Sequence, residues 1–245
     1  MSGEPSLTNG EPSPTRVVHC GDGLLWLDAA KAEGTLRGAS IITSLPDISE
    51  LPALGEEGWV RFFEDAAFRC AEAVDDDALC IFFQSDVKPE GVWIDKGALV
   101  TRAAMRAGLR VVFHKIVLRV PAGTVTHGRA GYSHLLAFSK SAVLDMSKPG
   151  PDVLPSAGPK TWTRGMGLHA CEAACDAVLR LTPTRTVVDP FCGHGTVLAV
   201  ANERGLHAIG VELGGKRARR ARALTYAALM ETGEASEGGD EASPL

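Results

Sequence analysis

Residues Thr186 to Leu213 read TVVDPFCGHGTVLAVANERGLHAIGVEL, and the fold is decided there. Thr186, Val187 and Val188 run without alternation into a glycine turn, as a central parallel strand does when it enters a ligand-binding loop. Gly193 and Gly195 let the backbone approach a ligand where a Cβ would collide. A helix predicted from Thr196 to about Arg204 then turns its free N–H groups and positive dipole end toward that turn. After Gly205 a second strand, His207 to Val211, closes on Glu212, about twenty residues past the turn, where a carboxylate can accept both hydroxyls of a ribose. The stretch reads as half of a Rossmann-type nucleoside site.

The glycine pattern separates two cofactor classes. A dinucleotide turn has G-x-G-x-x-G with the third glycine in the helix, whereas here Leu198 stands three past Gly195. Asp189 at the strand end would repel a pyrophosphate and suits a cofactor carrying an amino group. The string DPFCGHGT resembles the first motif of class I methyltransferases that use S-adenosylmethionine (SAM), especially those acting on nucleic-acid bases.

At 245 residues, 45% hydrophobic and net charge −5, the chain is long enough for one α/β domain with a full core. No apolar run reaches the ~18 residues of a membrane span, and MSGEPSLTNGEPSPTR lacks the apolar core of a secretory signal. These features imply a cytoplasmic or nuclear protein with no membrane partner. Of six cysteines, Cys80, Cys171 and Cys175 lie in apolar strings and read as buried thiols; no pair of ligand pairs has zinc spacing, so no metal is expected. The acidic balance weighs weakly against a dedicated nucleic-acid binder, although Lys216, Arg217, Arg219, Arg220 and Arg222 form a basic cluster that could follow a phosphate backbone.

Along the chain, residues 1–15 read as a disordered tail, 16–231 as one domain and 232–245 as a disordered acidic tail. Strands are expected at 16–19, 39–43, 78–83, 109–118 and 133–139, the last two as an antiparallel hairpin at the sheet edge. Helices are expected near 24–33, 56–74, 95–107, 166–180 and 214–230. The proline-bearing stretch 140–163 reads as a linker loop. The fold class is therefore α/β: a Rossmann-like, doubly wound, mostly parallel sheet with an antiparallel hairpin at its edge.

The cofactor half-site comes last, whereas the ordinary methyltransferase order begins with it. A GD-containing strand (Gly21, Asp22), a strand ending in Ser44-Leu45-Pro46-Asp47, and a terminal DPFCGHGT resemble the circularly permuted β-class amino-methyltransferases of nucleic acids over residues 16–228. That resemblance implies a circularly permuted strand order and SAM as cofactor, held by Asp189, Pro190, Phe191, Cys192, Gly193, His194, Gly195 and Thr196, with Glu212 and Leu213 at the ribose. Asp189, Gly193 and Gly195 would cradle the methionine end, with the His194 ring facing outward. Asp22 matches the acid that takes the adenine amino group, and Thr163, Arg164, Gly165 and Met166 stand where the family binds the SAM carboxylate, through Arg164 or helix N–H groups.

Ser44, Pro46 and Asp47 occupy the family's SPPY-like catalytic motif. There a polar side chain and a prolyl carbonyl accept from an exocyclic amine, and the aromatic stacks on a flipped base. Here Leu45 replaces the first proline and Asp47 the aromatic, so the stacking face is missing. Asp47 could serve as a base or orient the nucleophile, or simply cap a turn. The loop around His127, Arg129 and Tyr132 is the candidate acceptor contact, Arg129 for phosphate and Tyr132 for stacking. The resulting expectation is methylation of a base nitrogen in RNA, with tRNA favoured over DNA and a protein partner or homodimer supplying further substrate contacts. The alternatives are a small-molecule or protein acceptor, or a SAM-binding partner subunit without catalysis.

Overall fold

The computed structural model describes residues 13–162 and 164–237. The expectations for residues 1–12, Thr163 and residues 238–245 lie outside them. In chain order the strands are β1 (Arg16–Cys20), β2 (Ala39–Thr43), β3 (Cys80–Gln84), β4 (Arg110–Leu118), β5 (Tyr132–Ser139), β6 (Val153–Leu154), β7 (Thr186–Asp189) and β8 (His207–Glu212). The helices are α1 (Gly23–Glu33), α2 (Gly55–Ala73), α3 (Lys96–Arg106), α4 (Leu168–Leu181), α5 (Thr196–Glu203), α6 (Gly215–Ala223) and α7 (Tyr226–Glu237).

The strands form one eight-stranded sheet in the order β1-β8-β7-β2-β3-β5-β4-β6. Only β5 runs against its neighbours; the other pairings are parallel. β2, β3 and β7 are buried on both faces, which is why they read as unbroken apolar runs. One side of the sheet is covered by α1, α2 and α3, whose Leu27, Trp59, Phe63, Cys70 and Val100 pack on Ile41, Phe82 and Val188. The other is covered by α4 to α7, through Cys171, Val178, Leu198, Ala221 and Leu229 against Ile42, Ile81 and Val187. This is a three-layer, doubly wound α/β domain. Among the described residues no helix is long and apolar enough to cross a membrane.

Local chemistry sets the helix boundaries. Asp22 caps α1 and Asp95 caps α3 by accepting first-turn N–H groups, and Gly34 ends α1 in the left-handed conformation. All three cysteines expected to be buried are so, and Cys70 and Cys192 join them.

Three readings of the chain need correction. The stretch 140–163 is not wholly loop, because Val153 and Leu154 add a short strand outside β4, so the β4–β5 hairpin is not outermost. The terminal helix is two helices. Arg16 donates to the carbonyls of Ala221 and Leu224, and Leu224 turns extended to bury its side chain, which breaks the helix there. α7 then continues to Glu237, into the stretch that reads as a disordered tail.

Candidate functional site

The carboxyl ends of the strands supply the site, as open α/β sheets require. In sheet order, β1, β8, β7, β2 and β3 lead into Asp22, Glu212, Asp189, Ser44 to Asp47, and Gln84, and all of these border one cavity. With strands about 4.8 Å apart, the run from β1 to β3 covers about 19 Å. That is room for a nucleoside with an amino-acid tail and a second ring beside it.

Asp189 sits at the centre of the row. It accepts from the Thr43 hydroxyl on neighbouring β2 (2.7 Å) and from the Phe191 N–H (3.1 Å), and no cation among the described residues pairs with it. Burial raises its carboxyl to about 7; the two hydrogen bonds oppose that and neighbouring Glu212 adds to it. Glu212 uses Oε1 for the Gly214 N–H and the Arg217 guanidinium, each at 2.7 Å. Its other oxygen has no partner among the described residues. Asp22 borders the cavity while one of its oxygens caps α1, taking the Leu24 and Leu25 N–H groups at 2.9 Å.

The glycine turn serves two purposes. Gly193 (φ 54°) lies against Trp162, where a Cβ would touch the ring at 3.5 Å. Gly195 (φ 85°) does not border the cavity; a Cβ there would stand 2.8 Å from the Ala221 Cα, so its freedom lets α6 pack onto the turn. That corrects the reading of Gly195 as part of the cofactor cradle. His194 needs correction too, since its ring is not turned away. It tilts onto Trp162 (5.1 Å between centroids), meets the Thr161 hydroxyl at 3.2 Å and borders the cavity. Burial, and then Arg220 and Arg217, hold its imidazole below the ordinary range.

Pro190, Phe191, Cys192 and Thr196 border the same end, as does Leu213 at the rim, 70% exposed. Gly165 packs against the Trp162 ring, Met166 borders the cavity, and Arg164 borders it while reaching Glu50 at 3.6 Å. Gly23 was not singled out by sequence reasoning. A Cβ there would be 2.1 Å from the Pro190 carbonyl oxygen, so the β1 and β7 turns touch only because it is glycine. The repeated glycine in Gly21-Asp22-Gly23 is the signal that could have found it.

The other end of the cavity belongs to β2, β3 and what packs over them. Ser44 borders it with a hydroxyl that has no partner among the described residues, and the Pro46 carbonyl already accepts from the Trp59 indole at 3.1 Å. Asp47 proves to be both a cap and a cavity residue. It accepts from the Ser49 N–H and hydroxyl, and its Oδ2 takes the Lys96 ammonium at 2.6 Å and the Arg129 guanidinium at 3.2 Å. Burial alone would raise its carboxyl, but Lys96, the Ser49 N–H and Arg129 outweigh it and hold the group at about 2. A carboxylate held there is a poor proton acceptor at neutral pH, so the reading of Asp47 as a base loses its support.

Lys96, 2% exposed, also lies over the rings of Trp59 (5.3 Å) and Phe63 (5.9 Å). No sequence pattern flags it, because a lysine at a helix start is ordinarily solvated. Gln84 was missed as well, although a polar residue ending the apolar run of β3 was a usable signal. Of the loop residues, Arg129 alone borders the cavity. His127 lines a separate shallow depression, and Tyr132 packs edge-on against His134 at 5.3 Å.

No family model matches the sequence, and no curated protein matches it. Solved structures do match. A Thermus thermophilus protein described as a DNA modification methylase, complexed with S-adenosyl-L-methionine, aligns at 18% identity and TM-score 0.62 over 85% of this chain and 93% of its own. The M1.HpyAVI–SAM complex aligns at 15% identity and TM-score 0.62 over 85% and 98%. PvuII DNA methyltransferase (cytosine-N4-specific) aligns at 15% and 0.63 over 95% and 97%. At such identities the likeness shows the fold, which is the Rossmann-like fold of these structures.

Proposed function

We propose that the chain is a SAM-dependent methyltransferase acting on an amino nitrogen of a nucleic-acid base. One observation carries the reading: Asp189, desolvated and without a cation, and Glu212, with an open oxygen, end adjacent parallel strands over a cavity that continues to Ser44. The residues fit the cofactor. A buried carboxylate raised to about 7 is the partner an ammonium group requires, and the open Glu212 oxygen suits a ribose diol. SAM, when bound, supplies a methyl group on a sulfonium.

The chain's own residues do the rest. Asp189 holds the amino end, Glu212 the ribose, Asp22 the adenine edge, and Trp162 with Gly193 closes over the middle. Ser44 accepts an N–H from the acceptor amine and turns its nitrogen lone pair toward the methyl group. Asp47 fixes Lys96 and Arg129 instead of taking the proton, which leaves to solvent after transfer. The arrangement, with the cofactor turn on β7 and the acceptor tip on β2, supports a circularly permuted strand order.

Two of the three matched structures carry DNA in their descriptions, so DNA is the first acceptor to test and structured RNA the second; the tRNA preference has no support among them. A second reading has one observation in its favour. Asp47, ion-paired with Lys96 and Arg129, stands where a base-stacking aromatic would, which suits a small-molecule or protein acceptor. The full chain should be incubated with methyl-tritiated SAM and, separately, DNA, RNA, protein and a small-molecule extract. Label in DNA or RNA supports the proposal. Label only in the last two supports the second reading, and SAM binding without transfer to any of them overturns both.

A further inference from the structure

The acceptor end of the cavity has charge to spare. Lys96, Arg119, Arg129, Lys160 and Arg164 border it against Asp47 and Glu50, five positive groups facing two negative ones. The two carboxylates are taken, Asp47 by Lys96 and Arg129 and Glu50 by Arg164. Arg119 spends one nitrogen on the Ala130 carbonyl (3.0 Å), which fixes its fork and leaves its other donors without a partner among the described residues. The Lys160 ammonium has no hydrogen bond or ion pair among the described residues, although the residue is half-buried. Burial and the neighbouring Arg119 both hold Lys160 below the ordinary lysine range. Two half-buried cations near enough to repel, with no counter-charge among the described residues, are an unfavourable arrangement unless an anion completes it.

A second observation comes from the wall of the same cavity. Gln84 is 2% exposed and borders the cavity, yet its buried Nε2 has no hydrogen-bond partner among the described residues. A buried amide donor left unmade costs free energy, and a carbonyl or ring nitrogen on a bound acceptor would satisfy it. The anion and the hydrogen-bond acceptor belong to one ligand when that ligand is a phosphorylated base.

We propose that Arg119 and Lys160 form a phosphate-binding subsite beside the acceptor pocket, and that Gln84 donates its amide N–H to the base attached to that phosphate. Phosphate fits better than carboxylate. Lysine offers three donors and the free edge of the arginine fork two more, enough to surround a tetrahedral group with several oxygens. The inference rests on the cofactor occupying the Asp189–Glu212 end. It adds that the acceptor is selected by an anion as well as by an amine. The phosphate has two possible sources, a phosphodiester in a single strand and the monoester of a free nucleotide.

Calorimetry on the full chain, with and without S-adenosylhomocysteine, decides the matter using adenosine, adenosine 5′-monophosphate and a mixed-sequence single-stranded octanucleotide. The phosphorylated probes should bind more tightly than adenosine, the octanucleotide favoured if the source is a strand and the monophosphate if it is a nucleotide. Lys160→Gln should weaken both about tenfold, the value of one charge-assisted hydrogen bond. Lys160→Arg should restore most of that, while Lys148→Gln, on an exposed loop, should change nothing. S-adenosylhomocysteine should bind all variants alike. Unchanged affinity for both phosphorylated probes in Lys160→Gln and Arg119→Gln overturns the subsite. Failure of S-adenosylhomocysteine to bind the wild type overturns the cofactor reading instead, and the titrations without it still score the subsite.

Discussion

The two ends of the cavity solve opposite electrostatic problems. At the β7–β8 end, Asp189 is buried beside Glu212 with no cation of its own, so a carboxylate waits for a positive ligand group. At the β2–β3 end, Asp47 is held by two cations, and Arg119 and Lys160 have no acidic partner among the described residues, so positive charge waits for a negative one. A molecule with an ammonium at one end and an acceptor with a phosphate at the other would neutralise both. The free chain carries the cost of keeping them apart.

The largest test of that contrast lies in the Asp47–Lys96 pair. Lys96→Met leaves Asp47 buried with Arg129 alone, and we expect a loss of about 3 kcal/mol of stability in urea unfolding, the low end for breaking a buried pair. The double variant Asp47→Leu/Lys96→Met should recover most of it; no recovery would mean the pair is not energetically coupled. Asp189→Asn comes next. It should weaken SAM binding about 10- to 100-fold in calorimetry, the value of a charged hydrogen bond, and should also stabilise the free protein at pH 8. Because burial raises this carboxyl from the ordinary range to about 7, the folded chain holds a proton that the unfolded chain releases. Stability is therefore fully present below about pH 4 and is lost as pH rises toward and through 7. The variant should remove that slope.

The same group makes a third, smaller effect. If SAM's ammonium needs the ionised carboxylate, its affinity at pH 6 should be about fivefold below that at pH 7, where the ammonium is still mostly protonated, since the ionised share of Asp189 rises from about a tenth to about a half. A flat profile would show that the ammonium pairs elsewhere. The smallest expected change is at Tyr132, which does not border the cavity. Tyr132→Phe should leave methyl transfer and cofactor affinity within about twofold, as for surface substitutions away from special features; a larger loss would bring the loop back into the acceptor site.

The contrast also explains what could be read without coordinates. Most of the β7–β8 end is written in one contiguous stretch, where strand, turn, helix and carboxylate follow one another within Thr186 to Leu213, so Asp189 and Glu212 were legible, whereas Gly23 and Trp162 reach it from elsewhere in the chain. The acceptor end is not contiguous. Asp47, Gln84, Lys96, Arg119, Arg129 and Lys160 meet only because the ends of β2, β3 and β4, the start of α3 and the loops before β5 and α4 converge on one edge of the sheet. Ser44, Asp47 and Arg129 were legible from motif and loop chemistry, but the ion pairing that changes the role of Asp47 was not, because nothing local in Lys96 distinguishes a buried lysine from a solvated one. The break between α6 and α7 was hidden for the same reason. Its cause, Arg16, lies more than two hundred residues away in the chain.

That last contact bears on how the protein comes into being. Because β1 joins the sheet only by pairing with β8, Arg16 opposite Ala208, β1 must wait during synthesis until β8 has been made. A nascent chain released short of residue 212 lacks both the neighbour of β1 and the wall of the cavity that Glu212 supplies. Closing so long a loop is entropically costly and slows folding. Ordering of β1 should therefore follow the emergence of β8, coincident with completion of the cavity.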